Sequence, residues 1–225
     1  MTGFTTDEGI INIDSPEDLE KKVYLAKNYP EYFVPKHMAL SLPMDQQLEI
    51  GKQIRKHYFK DVEDWEALAN YFSDNMFIYG IVQFAKSCAK NKNDVFMYRF
   101  SCKSERNIIG QVLGSASVTG NKPITSHADD LLYLFDAKMM NTKVDMNSKT
   151  FQLIERLTKI WTNFAKYGNP TPDETLGVKW APYTLEKEDY LDIGNELAPG
   201  TSPYSERIQF WEELHKKYAP NYVYK

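Results

Sequence analysis

The chain opens with MTGFTTDEG (residues 1–9), in which Gly3 and Gly9 bracket Thr5, Thr6, Asp7 and Glu8. β-Formers running into polar residues and a glycine read as the tail of a strand entering a tight loop. The body of that strand should precede residue 1, so the chain reads as part of something larger. Downstream, DVFMYRFS (94–101) carries β-formers on both faces and predicts a buried strand. It is the one convincing complete strand in the chain, and many helices around so little sheet is an unbalanced inventory for an α/β fold.

The helices are well punctuated. Ser15-Pro16 followed by Asp18 supplies a cap, a first-turn proline and an acidic N3 residue, opening a helix that ends near Asn28-Tyr29-Pro30. Asp45 is placed to cap a second helix running to about Tyr58. From Asp61 to about Asn91, Trp65, Leu68, Phe72, Phe77, Ile81, Phe84, Ala85 and Cys88 keep helical spacing. Phe151, Ile154, Leu157, Trp161, Phe164 and Ala165 mark one face of a helix over 148–167, which Gly168 ends. A last helix is predicted from Ser202-Pro203, with Ile208, Trp211, Leu214 and Tyr218 inward.

Composition removes several function classes. The chain has 225 residues, 42% of them hydrophobic and 14% aromatic, enough for a substantial core. Its net charge of −4 is spread without long single-sign blocks, which speaks against nucleic acid as a partner. The longest apolar run, MFIYGIVQFA (76–85), is far shorter than the ~20 residues a membrane span needs. The N-terminus has no signal-peptide pattern. Cys88 and Cys102 fit neither a disulfide framework nor a metal-ligand spacing, so no metal or cofactor is expected. The absence of N-glycosylation sequons leans towards an intracellular setting.

KPITSHADDLLYLF (122–135) closes a Gly/Ser/Thr/Asn-rich loop with His127, then two carboxylates and an apolar helix start. Read alone, such a histidine holds a loop in place or serves as a general base. Asp129 and Asp130 read as first-turn acids of the following helix.

TGFTTDEG resembles the loop that bears the acid of the triad in the carboxylesterase and cholinesterase (type-B) family of α/β-hydrolases, and SHADDLLYLF resembles that family's histidine segment. IWTNFAKYGNP, VKWAPYT, YLDI and RIQFWEEL follow in the family's order. The resemblance runs from Met1 to about Leu214. It implies an α/β fold, the C-terminal portion of a single α/β-hydrolase domain, with Glu8 as triad acid, His127 as triad base and Asp130 supporting the histidine loop. Met76 and Phe77 would line the acyl side of the substrate pocket, and the substrates would be small carboxylic esters. The order Glu8 before His127 obeys the family's order of serine, acid, histidine. No G-x-S-x-G occurs in the 225 residues; LGSASVTG (113–120) has the wrong spacing. The nucleophile and oxyanion donors are therefore expected from a missing N-terminal part of the same fold, and the chain by itself is expected to be inactive. Two other readings fit the same residues, a non-catalytic esterase-like binding or adhesion protein and a free-standing helical interaction protein.

Overall fold

A computed structural model describes residues 1–60, 64–120, 122–136 and 143–220. Thr2–Thr5 forms β1, the strand segment expected to run into the loop that carries Glu8. Ser15 caps α1 (Pro16–Asn28), accepting the Asp18 N–H as its sequence pattern requires. A single turn, α2 (Lys36–Ala39), leads to α3 (Met44–Tyr58). Its N-cap position is Pro43, so Asp45 is a first-turn acid near the helix dipole and not the cap. Asp64 caps α4 (Trp65–Ser73), while Asp61 lies outside the described residues.

Between α4 and α5 (Tyr79–Lys90) the helix does not break but widens into a π-turn over Asp74–Ile78. The extra residue shifts the inward face of α5 relative to that of α4. Ile78, Val82 and Ala85 are buried, whereas Phe84, expected inside, is half exposed. Phe77 is released from the helix face for another contact. Beyond α5, the short turns α6 (Ile109–Val112) and α7 (Ala116–Thr119) interrupt the loop expected between 101 and 126.

Strand β2 covers Met97–Phe100, and β3 (Asp189–Ile193) and β4 (Leu197–Thr201) form a hairpin that the sequence pattern does not announce as strands. Among the described residues the sheet has the order β1-β2-β3-β4, with β1, β2 and β3 parallel and β4 antiparallel at the edge. Helix α8 (Lys149–Tyr167), capped by Ser148 and ended by Gly168 in the left-handed conformation, covers one face. Leu153, Leu157 and Ile160 pack there with Phe100, Leu191 and Ile193. The buried stripe is thus turned from the expected one, since Phe151 is only half-buried and outside that cluster. On the other face α5 and α9 (Ser205–Tyr218) meet β1 and β2 through Phe4, Met97, Val82 and Ile208. Helix α9 starts three residues later than Ser202 and buries Ile208, Trp211, Leu214 and Tyr218 as predicted. A third cluster, built on Phe33, Ile50, Leu68 and Trp211, holds the remaining helices together.

Candidate active site

Two loops leave adjacent parallel strands and meet. After β1 the backbone turns into a 3-10 helix over Glu8–Asn12, which puts Glu8 at its start, buried. This turn packs so closely on α4 that position 9 has no room for a side chain. A Cβ on Gly9 would lie 2.2 Å from the Ala69 carbonyl oxygen and 2.4 Å from the Ser73 nitrogen. The Gly9 N–H instead donates to Ser73 Oγ at 2.8 Å.

The loop after β2 comes back alongside. Asp7 and Ser126 form a parallel bridge, the Asp7 N–H donates to the Thr125 carbonyl at 3.0 Å, and the Thr125 N–H donates to Asp7 Oδ2 at 2.8 Å. This zipper carries Glu8 and His127, 119 residues apart in sequence, to a 2.5 Å contact between His127 Nδ1 and Glu8 Oε2. The other carboxylate oxygen, Oε1, accepts the Thr5 N–H at 2.7 Å. A carboxylate only accepts, so the Nδ1 nitrogen donates and Nε2 is left as the basic nitrogen of the ring. The side chains differ in exposure, 5% for Glu8 and 45% for His127, so a buried acid backs an imidazole open to an incoming group. The hydrogen bond to Glu8 holds the His127 pKa above its ordinary value, against the opposing effect of partial burial.

The segment 129–133 is a 3-10 turn and not the expected longer helix. Both acids stand in the first turn, as expected, but both are buried and both are used as hydrogen-bond acceptors. Asp130 Oδ2 accepts the Tyr98 hydroxyl at 2.8 Å, linking the histidine segment to β2. Asp129 accepts the Ser126 N–H at 2.7 Å and the Ile109 N–H at 3.1 Å. Burial pushes its pKa up to about 7.

Of the two residues expected to line a pocket, the structure brings one to the pair. The Phe77 ring lies 4.7 Å from the His127 ring, centroid to centroid. Met76 lines a different cavity of about 320 Å³, together with His37, Tyr79, Trp211 and His215. His215, in the last turn of α9, is buried and stacks on Tyr79 at 4.5 Å and on His37 at 5.3 Å. The π-turn itself is anchored by Asp74. Arg207 donates to both of its carboxylate oxygens at 2.6 Å, and the Tyr58 hydroxyl donates at 2.5 Å. The Asp74–Arg207 pair had no sequence signal, because 133 residues separate its members.

A mostly parallel sheet with helices on both faces, whose strand ends deliver a buried carboxylate and an imidazole side by side, has the architecture of an α/β-hydrolase. Comparison with known proteins agrees. Residues 1–211 match the carboxylesterase family, and the chain belongs to it. Bile salt-activated lipase of Bos taurus is 31% identical over 135 residues, which cover 58% of this chain and 21% of the lipase. Esterase cest-33 of Caenorhabditis elegans is 28% identical over 177 residues, 74% of this chain and 30% of that protein. The crystal structure of juvenile hormone esterase from Manduca sexta, with OTFP covalently attached, superposes with a TM-score of 0.76 at 25% identity, over 95% of this chain and 40% of that one. The chain thus spans 21% to 40% of the length of these relatives.

Proposed function

We propose that this chain supplies the acid and base of a serine carboxylic ester hydrolase, with Glu8 orienting His127 and with the nucleophile contributed by sequence outside these 225 residues. The observation that carries the reading is the 2.5 Å Glu8–His127 contact, made by loops from neighbouring strand ends. In the reaction, Nε2 of His127 takes the proton of the serine hydroxyl as that oxygen attacks the ester carbonyl, then gives it to the departing alcohol. Water repeats the sequence on the acyl-enzyme, releasing the acid and restoring the serine. Glu8 keeps the proton-bearing nitrogen turned inward and stabilises the imidazolium between the two transfers. Phe77, against the imidazole, forms part of the wall that the acyl group meets. The esterase names of the relatives support carboxylic esters as the substrate class. Retention of both the acid and the base favours this reading over a non-catalytic binding module.

The test joins this chain to an upstream family segment that carries a G-x-S-x-G elbow. The joined protein should hydrolyse a naphthyl ester and lose that turnover on treatment with an organophosphate, while the chain by itself gives no turnover above the blank. A folded joined protein with no turnover, or one whose turnover survives His127→Ala, would refute the assignment.

A further inference from the structure

The backbone that presents His127 is clamped from two sides. In front, Asp7 pairs with Thr125 and Ser126 as described. Behind, a single carboxylate does the corresponding work. Asp129 is fully buried, its Oδ2 accepts the Ser126 N–H at 2.7 Å, its Oδ1 accepts the Ile109 N–H at 3.1 Å, and its own N–H donates to the Ser126 carbonyl at 3.1 Å. These bonds close a tight ring over residues 126–129 and tie it to the first turn of α6. Inside the ring Ala128 takes φ +67°, a left-handed conformation that an alanine adopts only when its surroundings impose it. Asp130 points elsewhere, to the Tyr98 hydroxyl, so it does not share this task.

We infer that Asp129 is a positioning residue for His127: its carboxylate locks the left-handed turn at Ala128 and so sets Nδ1 against Glu8. The inference rests on the reading of Glu8 and His127 as an acid–base pair and adds a third acid that touches neither ring nor ester. An amide at position 129 cannot replace it, because its NH₂ would face one of two N–H donors.

The test is made on the chain itself by proton NMR, where a strongly hydrogen-bonded imidazole N–H gives a line far downfield. In the wild type that line should be present, and in Glu8→Ala it should vanish. Asp129→Asn should lose it or move it upfield, and the Ser126 amide should exchange roughly ten- to a hundredfold faster, as expected for losing one buried hydrogen bond. A wild type without the line, or a line that persists in Glu8→Ala, removes the Glu8–His127 pair and this inference with it. A line present in the wild type, absent in Glu8→Ala and unmoved in Asp129→Asn leaves the pair standing and overturns the positioning role. Should Asp129→Asn not fold, Asp129→Ser keeps one short acceptor and should shift the line partway; no shift overturns the proposal. Independently of any variant, a wild-type Ser126 amide that exchanges as fast as an exposed loop amide also overturns it.

Discussion

Between Glu8 and His127, one hydrogen bond selects the tautomer and stabilises the protonated ring, so the two residues should behave as a unit in kinetics. In the joined protein His127→Ala should lower kcat by roughly a thousandfold or more, because the proton relay is lost outright. Glu8→Gln should lower kcat as well, and the double variant should be little worse than the worse single one, since members of such a unit are not additive. Additive losses would mean that the two residues act separately. The pH profile supplies a second check. In the proposed mechanism only the neutral imidazole accepts the serine proton, and the bond to Glu8 raises the His127 pKa, so kcat/KM of the joined protein should fall on acidification through a point above the ordinary imidazole value. In Glu8→Gln that acid limb should move to lower pH; a limb that stays in place would count against Glu8 as its cause. Glu8 and His127 were legible in the sequence through the segments around them. Asp129 was not, because its role depends on the Ser126 and Ile109 N–H groups, one from the loop before it and one from the start of α6, which only the fold brings to its carboxylate.

At the scale of elements, the π-turn after α4 decides which side chains face the site. It is held at its first residue, where Asp74, fully buried, receives Arg207 of α9 and the Tyr58 hydroxyl of α3. Removing one partner of a buried, hydrogen-bonded ion pair strands the other, so Asp74→Ala should cost about 3–5 kcal/mol in denaturant unfolding. A loss below about 1 kcal/mol, the size of an ordinary exposed pair, would show that the network is incidental. The contact of the 3-10 turn with α4 is as tight. Gly9→Ala should cost about 1–3 kcal/mol, the usual penalty of overpacking, because backbone and not a flexible side chain stands in the way of the methyl group. An unchanged denaturation midpoint in that variant would mean that the turn yields easily. Helical periodicity placed α4 and α5 but could not find the π-turn, since a single inserted residue leaves composition and capping signals untouched and changes only the inward register. The β3–β4 hairpin escaped for a different reason: its strands are five residues each, and Pro199 and Gly200 in β4 weaken the strand pattern.

For the whole molecule, the chain spans a minority of its relatives' length, and the question is which acts it performs without them. The expected outcome is a division of labour. The isolated chain should show the downfield His127 proton yet neither hydrolyse a naphthyl ester nor take up a fluorophosphonate label, and the joined protein should do all three. Labelling of the isolated chain at a serine, located by mass spectrometry of its peptides, would show that a nucleophile lies among these residues.

The sequence by itself determined the family, the helix boundaries at Ser15, Ser148 and Gly168, and which two residues to propose as acid and base. Those are properties of short segments, in which capping, turn chemistry and residue order act over a few positions. Only the tertiary structure decided that Glu8 and His127 touch, that Phe77 joins them while Met76 does not, and that Asp129 grips the histidine loop from behind. Each of these depends on strand pairing, on a one-residue change of helical register or on the direction of a backbone N–H. Such quantities are set by long-range packing, to which no local pattern has access.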